Sequence, residues 1–115
     1  MKLLLAIIQP TKLQAVRNAL FQIGVERMTV CDSLGYGRQR GQLATYRGIE
    51  YKVNMLRKVA LEIMVNDDFV DRTIDTLLKC ARTGTEGNIG DGKIFVLPAD
   101  ETISIDTGAR GPSAV

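Results

Sequence analysis

The apolar residues of this chain follow one arrangement twice: a strand, an amphipathic helix and a returning strand. The first unit begins at residues 2–8, which are apolar on both faces and therefore predict a central strand. In the second, which begins at residues 59–65, Leu61, Ile63 and Val65 share one face. Because a long loop joins the two units, this order predicts an α+β fold of the ferredoxin-like βαββαβ type. In that fold two helices cover one face of a four-stranded sheet.

The first helix is predicted to begin after Pro10, where Thr11 and Gln14 form a capping box. An apolar stripe with spacings of three and four residues follows, and Gly24 is expected to end the helix. The stripe consists of Leu13, Val16, Leu20 and Ile23. Residues 25–34, rich in Met, Val and Thr, predict the second strand, which leads into the long loop.

The second helix is predicted to be capped by Asn66 or Asp67 and to end at Gly84. Its apolar face consists of Val70, Ile74, Leu77, Leu78 and Ala81. Residues 93–97 predict the fourth strand, and residues 102–105 are a candidate for a short fifth.

The first strand also predicts how copies of the chain associate. A strand that is apolar on both faces should not leave one of them in water, yet the helices cover only one face of the sheet. We therefore expect the second face to be buried against other copies of the chain, in an oligomer. A length of 115 residues fits a single domain, residues 1–115.

The start of the chain, MKLLLAIIQP, superficially resembles a secretion signal. Its apolar run from Leu3 to Ile8 is shorter than the usual ~7–15 residues, and no small-residue cleavage site follows. No apolar run approaches the ~18 residues of a membrane span. The sequence thus predicts a cytoplasmic protein that is not embedded in a membrane.

Positive charge is concentrated in the long loop, residues 35–58. Six basic residues stand there against one acid, Glu50, together with four glycines and all three tyrosines. Loops of this length in compact domains are usually functional or disordered. We expect a mobile, basic segment that meets a partner.

A second glycine-rich segment, residues 83–93, joins the second helix to the fourth strand. Gly87 to Lys93 fits the spacing GxxxxGK, but Ile94 replaces the Ser or Thr of a Walker motif, and a strand follows where that motif needs a helix. What remains is a turn whose backbone N–H groups can form an anion nest beside Lys93, although a plain connector has the same pattern.

Cysteine and histidine content excludes several kinds of site. Cys31 and Cys80 are 49 positions apart with no CxxC, and the chain has no histidine. Common zinc sites, Cys-His dyads and Ser-His-Asp triads are therefore ruled out. Two reduced structural thiols are expected.

Several motifs, taken in order, resemble those of the P-II nitrogen regulatory signal-transduction proteins. They are AIIQP at residues 6–10, GYGRQRG from Gly35, YRGIEY from Tyr46, Lys58, and GDGKIFV from Gly90. The resemblance covers residues 2 to about 108 and implies a homotrimer whose three inter-subunit clefts bind adenine nucleotides (ADP, AMP or ATP). It also implies that residues 37–55 form the family's T-loop, which docks on a membrane transporter or a metabolic enzyme.

The resemblance assigns site residues by position. One side of the nucleotide cleft would be lined by Ile7, Gly35, Gly37, Arg38 and Gln39, and the adenine and ribose would lie near Thr29, Glu62 and Met64. The phosphates would be wrapped by Gly90, Asp91, Gly92 and Lys93. Gln39 and Lys58 match the positions that hold Mg²⁺ and 2-oxoglutarate in relatives, Arg47 lies in the partner-binding segment, and Tyr51 matches a tyrosine that some relatives have uridylylated.

Three departures from the family pattern stand out. Ile49 replaces a small residue that some members phosphorylate, and the phosphate loop is about three residues longer, with the excess at residues 85–88. Two arginines that relatives direct at the β- and γ-phosphates align with Ser104 and Asp106, in the C-terminal segment 104–115. An arginine–phosphate hydrogen bond contributes roughly 1.5–3 kcal/mol, so ADP or AMP should be favoured over ATP unless Arg110 compensates or Asp106 holds a metal.

The sequence therefore predicts a non-enzymatic signalling protein that binds adenine nucleotides and regulates partners through its T-loop. Two alternatives stay open: a conventional ATP- and 2-oxoglutarate-sensing P-II protein regulating ammonium transport or nitrogen assimilation, and a nucleotide-hydrolysing enzyme. Such an enzyme would need a base, for which Asp91, Glu62 and Asp106 are candidates, but solvated carboxylates are the commoner explanation. A nucleic-acid-binding module is disfavoured because the basic residues are few and lack a second patch.

Overall fold

The computed structural model of the chain describes residues 1–37, 44–46, 49–51 and 54–115, and side chains outside 36–55. The elements are β1 (Lys2–Ile8), α1 (Leu13–Gln22), β2 (Thr29–Gly37), β3 (Ala44–Tyr46), β4 (Ile49–Tyr51), β5 (Asn54–Val65), α2 (Val70–Ala81) and β6 (Gly92–Pro98). Four antiparallel strands form one sheet in the order β2, β5, β1, β6, and two further strands pair separately as β3–β4. The predicted ferredoxin-like fold is confirmed.

The core lies between the two helices and one face of the sheet. On β1, Leu4, Ala6 and Ile8 alternate onto this face, and their register partners on β5 are apolar and equally buried. Val16 and Leu20 of α1 are fully buried against them, as the predicted stripe requires. Each buried aliphatic side chain of this size contributes roughly 2 kcal/mol, which makes this layer the main source of stability.

The apolar face predicted for α2 is only partly correct. Leu77 is fully buried, but Leu78 is 45% exposed. Val70, Ile74 and Ala81 pack half-buried against the core, and Thr73, which the prediction omitted, is fully buried. Thr73 tolerates burial because its hydroxyl donates to the Phe69 carbonyl at 2.6 Å.

The opposite face of the sheet carries a second apolar layer. Leu3, Leu5 and Ile7 of β1 are half-buried there, and Phe95 and Leu97, their register neighbours on β6, remain 48% and 42% exposed. No helix among the described residues covers this face. It is the surface that the sequence predicts to be buried between copies.

The edge strands differ from their predicted bounds. Gly24 adopts φ +91°, and the N–H groups of Gly24 and Val25 donate to Phe21 and Leu20, a Schellman motif that ends α1 as predicted. The chain then needs four more residues to turn, so β2 starts at Thr29 rather than at residue 25. β2 and β5 stay paired as far as Gly37 and Asn54, so both ends of the predicted loop 35–58 are strand.

Both predicted helix caps are wrong. A 3₁₀ turn, Pro10–Lys12, precedes α1, so Thr11 lies inside that turn and no side chain caps the helix. A second 3₁₀ turn, Asp67–Phe69, likewise precedes α2, and Asn66 instead donates from its amide to the Pro112 carbonyl at 3.3 Å. A 3₁₀ turn supplies the first hydrogen bonds itself, which removes the need for the side-chain caps.

The C-terminal predictions also need correction. α2 ends at Ala81 because Arg82 takes an extended backbone, three residues ahead of the left-handed Gly84 predicted to end it. The predicted strand at 102–105 is reduced to a single antiparallel bridge between Ile103 and Arg110. Residues 102–111 nevertheless form a hairpin, in which the Gly111 N–H donates to the Thr102 carbonyl at 2.9 Å.

Candidate functional site

The glycine-rich segment 83–93 is held to the sheet by one carbonyl group. The Lys58 ammonium, on β5, donates to the Gly90 carbonyl at 2.5 Å, and the Gln9 amide, just after β1, donates to the same oxygen at 2.9 Å. Gly90 adopts φ +99°, a conformation that L side chains rarely take. These two side chains, one on β5 and one just after β1, thereby fix the position of the loop relative to the sheet.

The carboxylate of Asp91 closes the loop from within. It accepts from the Thr83 N–H at 2.9 Å, the Thr83 hydroxyl at 2.5 Å and the Asn88 N–H at 2.8 Å. The Gly87 N–H donates to the Thr83 carbonyl at 3.0 Å. Residues 85–88, where the sequence analysis placed extra length, thus lie within a closed turn, and both Asp91 carboxylate oxygens are engaged inside it.

Gly92 marks the closest approach of the loop to β1. A Cβ at this position would lie 1.7 Å from the Ile7 carbonyl oxygen, and the residue has φ +126°. Among the described residues, the backbone N–H groups of Ile89 and Gly90 donate to no acceptor. The loop therefore has a glycine at a position where the packed backbone leaves no room for a Cβ. It also has N–H groups that can donate to an anion, which fits the predicted anion nest.

The electrostatics of this end of the sheet favour an anion. Burial lowers the pKa of Lys58, only 9% exposed, and the nearby Asp91 carboxylate offsets part of that effect. Partial burial would raise the pKa of Asp91, but hydrogen bonds from Thr83 and Asn88 together hold it below its ordinary value. An anion beside Lys58 would relieve the cost of burying its charge, so the site is suited to phosphate or carboxylate.

The residues assigned to the adenine and ribose lie elsewhere on the sheet. Thr29 and Glu62 are register partners, with Leu5 next to Glu62 on β1, and Met64 follows on β5. Glu62 is four residues along β5 from Lys58, about 13 Å at the usual rise per residue. One chain therefore presents two separate groups of site residues. The group at the loop end contains Ile7, Gly35, Gly37, Lys58, Gly90, Asp91, Gly92 and Lys93, and the group at the far end contains Thr29, Glu62 and Met64.

The C-terminal hairpin lies at the far end of the sheet. The Asp106 carboxylate accepts from the Ser104 hydroxyl and from the Thr107 N–H at 2.8 Å, and these bonds, with a contribution from the Arg27 charge, lower the pKa of Asp106. Arg110 pairs with Glu101 through two hydrogen bonds, one of them from Nη2 to Oε2 at 2.7 Å. Arg110, which the sequence analysis named as a possible substitute for two arginines of the family pattern, is thus paired with a carboxylate.

Three of the predicted site residues, Arg38, Gln39 and Arg47, lie outside the described residues, as does the side chain of Tyr51. The described residues contain no group of three or more His, Cys, Asp or Glu side chains that could hold a metal ion, at Asp106 or elsewhere. Sequence reasoning missed Gln9 and Thr83. Gln9 meets Gly90 across 81 positions, a contact that no local pattern signals, whereas a Thr eight residues before an Asp in one loop could have suggested the second.

Comparison with known proteins gives one consistent result. The family model described as "Nitrogen regulatory protein P-II" matches residues 1–109. The chain is 48% identical to nitrogen regulatory protein P-II of Klebsiella oxytoca and to P-II 1 of Escherichia coli K12, over all of both chains in each comparison. It is 44% identical to nitrogen regulatory protein GlnK1 of Methanosarcina mazei, over 100% of this chain and 97% of that one. Within the described residues, no helix is long and apolar enough to cross a membrane.

Proposed function

The chain belongs to the P-II nitrogen regulatory protein family, and from that premise we propose that it holds an adenine nucleotide in a cleft between two subunits. Members of this family are non-enzymatic signal transducers that regulate nitrogen metabolism, act as trimers, bind adenine nucleotides and interact with partner proteins. For this chain we also propose a cytoplasmic location.

The separation of the two groups of site residues carries the proposal. A nucleotide that spanned the about 13 Å from Gly90 and Lys58 to Thr29 and Glu62 of one subunit would lie across the open apolar face that copies of the chain are expected to bury, so its base is expected on the far end of a neighbouring subunit. A neighbouring subunit that brings its far end to the loop end of the first completes the cleft. Each trimer then has three such clefts.

The exposed apolar side chains at the two sheet edges support this head-to-tail contact. Val30 and Leu34 on β2 are 46% and 62% exposed, and Leu78 on α2 and Val96 on β6 are 45% and 47% exposed. They lie at opposite edges of the sheet, so one edge can dock on the other of the next copy and close a ring.

The far end also supports a preference for ADP or AMP over ATP. Ser104 and Asp106 stand where relatives place phosphate-binding arginines, and Arg110 is committed to Glu101. A γ-phosphate reaching this hairpin would meet a carboxylate instead of two guanidinium groups. Gln39 and Lys58 remain the candidates for holding Mg²⁺ and a 2-oxo acid, with Lys58 already placed beside the phosphate loop.

We expect the T-loop, residues 37–55, to contact the partner, with Arg47 and Tyr51 at its surface. The partner would be a membrane transporter or an enzyme of nitrogen metabolism. Its docking would depend on which nucleotide occupies the cleft, because Gly35 and Gly37 connect the loop-end group directly to the T-loop.

Calorimetric titration with AMP, ADP and ATP, with and without Mg²⁺ and 2-oxoglutarate, tests the nucleotide preference. ADP or AMP should bind more tightly than ATP. ATP binding at least tenfold more tightly than ADP would contradict the preference while leaving the cleft itself intact.

Subunit mixing tests the shared cleft. Lys58→Met removes the loop-end cation, and Glu62→Gln removes the far-end carboxylate, so each variant alone should bind ADP weakly in all three clefts. After unfolding and refolding together at equal amounts, about one quarter of the clefts should combine two intact halves and regain wild-type affinity. Each variant refolded alone is the control, and a mixture that binds no better than the controls would refute a site built from two subunits.

A further inference from the structure

The Gly90 carbonyl is unusual in accepting two side-chain donors from different parts of the chain. Lys58 reaches it from β5 at 2.5 Å and Gln9 from the end of β1 at 2.9 Å, and both contacts are partly buried. A glycine loop has no side chain at this position to hold it in place. Its position therefore depends on what binds its backbone.

Gln9 is well placed to bind that carbonyl because its own backbone is anchored. It follows β1 directly, and its carbonyl accepts from the Lys12 N–H at 3.0 Å, which starts the 3₁₀ turn Pro10–Lys12. With φ −67° and ψ 137°, Gln9 has an ordinary extended backbone, so no backbone strain accompanies its contact with Gly90. A fixed backbone and a flexible side-chain amide suit a residue that sets the position of a neighbouring loop.

The direction of the Gly90 carbonyl matters for an anion. A carbonyl oxygen carries partial negative charge, and one that faced a phosphate would repel it. The same peptide group donates from the Asp91 N–H to the Asn88 carbonyl at 3.1 Å, so its plane is fixed at both ends. If Gln9 were lost, Lys58 alone would have to hold this carbonyl and would have less freedom to direct its remaining N–H donors at a ligand.

We propose that Gln9 is a positioning residue for the phosphate loop: its amide holds the Gly90 carbonyl against the sheet, so that Lys58 and the loop N–H groups face the anion. This rests on the proposed nucleotide cleft but adds a residue whose proposed role requires no contact with the nucleotide. Its loss should weaken binding of phosphate-bearing ligands and leave adenosine, which lacks phosphates, unaffected.

The variant to test is Gln9→Met, which keeps an unbranched side chain of similar length and removes the donor. We expect ADP affinity to fall about 3- to 10-fold, the effect of one hydrogen bond, with adenosine affinity unchanged. Gln9→Lys restores a donor and should recover most of the ADP affinity. Gln14→Met is the matched control, since the Gln14 amide bonds only Asn18, on the exposed surface of α1, at 3.0 Å.

A second readout follows the contact itself without any nucleotide. Gly90–Asp91 is the only Gly-Asp pair in the sequence, so ¹³C′-glycine and ¹⁵N-aspartate labelling yields a single carbonyl–amide correlation. Loss of a donor moves the Gly90 carbonyl resonance upfield, and we expect this in Gln9→Met but not in Gln14→Met.

Each outcome decides between distinct claims. A Gly90 resonance that does not move in Gln9→Met overturns the proposal. So does a resonance that moves while ADP affinity stays at the wild-type value, or an equal loss of ADP and adenosine affinity. If the wild-type protein bound no adenine nucleotide, the proposed function would fail, and the carbonyl resonance alone would show whether Gln9 holds the loop.

Discussion

The loop end and the far end of the sheet carry different chemistry although both belong to the same proposed cleft. At the loop end, a buried ammonium, backbone N–H groups and a glycine packed on β1 converge on a small volume. At the far end, Glu62 and Asp106 bring negative charge, and Arg110 is paired with Glu101. In the proposed cleft, phosphate affinity would therefore come mainly from one of the two subunits, which would limit how many phosphates the site holds firmly.

The most direct test of this asymmetry is to introduce two arginines at the far end of the sheet. Ser104→Arg with Asp106→Arg should raise ATP affinity about 10²–10⁴-fold, since each guanidinium adds a charge-assisted bond to phosphate and the Asp106 carboxylate is removed. Affinity for AMP, which has a single phosphate, should change little. Calorimetry with the three nucleotides measures both effects.

Added positive charge alone must be separated from specific contacts. Asp75→Arg, on the exposed surface of α2, increases the net charge without approaching the far end. A comparable gain in ATP affinity for Asp75→Arg would show that the double variant acts through general attraction rather than through the hairpin.

The packing of the loop end can be disrupted by a substitution at Gly92. Alanine there would place its Cβ 1.7 Å from the Ile7 carbonyl at φ +126°, so β1 and β6 would have to separate. We expect Gly92→Ala to lower the free energy of unfolding by about 3 kcal/mol or more. Gly35→Ala is the matched control, because its Cβ would meet only the Lys58 side chain at 3.6 Å, and it should cost less than about 1 kcal/mol. Denaturant titration compares the two, and equal losses would contradict the packing argument.

A smaller effect is expected from Asp91, which closes the loop. Asp91→Asn keeps the shape but loses the negative charge that strengthens three hydrogen bonds, so the loop should open more easily and ADP affinity should fall about tenfold. Asp100→Asn, an exposed acid beyond β6, serves as the control. Unchanged ADP affinity in Asp91→Asn would mean that the loop binds phosphate without this closure.

The same carboxylate predicts a pH dependence at the loop end. Its hydrogen bonds keep the pKa of Asp91 in the folded chain below its ordinary value. These bonds therefore stabilise the folded chain fully above the pKa that Asp91 has in the unfolded chain, and this stabilisation is lost as the pH falls through the pKa of Asp91 in the folded chain. The melting midpoint of the wild-type protein should exceed that of Asp91→Asn at pH 6, and the two should converge well below about pH 4. A difference that persists at low pH would have another origin.

Sequence reasoning predicted the order of the strands and helices and the side chains of one sheet face, because Leu61, Ile63 and Val65 impose a period of two. It missed the caps, since the 3₁₀ turns at Pro10 and Asp67 make their first hydrogen bonds through the backbone, without the side chains of Thr11 or Asn66. It also placed a loop boundary at Gly35, where glycines and basic residues conceal a strand that is paired across to β5. Local propensity cannot show pairing with a partner some twenty positions away.

The sequence predicted the site residues that act through their backbone. It did not predict those whose side chains make contacts with residues far away in the sequence. Glycines 90 and 92 stood out by spacing, and the structure gives each a positive φ. Asp91 was assigned to the phosphates, but its carboxylate is engaged inside the loop, and the role of Gln9 depends on a fold that brings residues 9 and 90 together. The sequence therefore marks which segment binds, and the tertiary contacts show how it is held.

The smallest effect that we expect comes from a substitution at the far end of the sheet, and it tests how the two ends differ in phosphate binding. Glu101→Gln releases Arg110 from an exposed ion pair, and if Arg110 could reach a phosphate, ATP affinity would rise as strongly as with a restored arginine. We expect a change within about threefold, because the Ile103–Arg110 bridge holds the backbone of Arg110 in the hairpin and exposed pairs of this kind contribute little. Glu101→Gln combined with Arg110→Gln controls for the altered hairpin. A tenfold gain in Glu101→Gln that disappears in the double variant would show that the far end holds a phosphate ligand in reserve, and the asymmetry between the two ends would then depend on Glu101 rather than on Ser104 and Asp106.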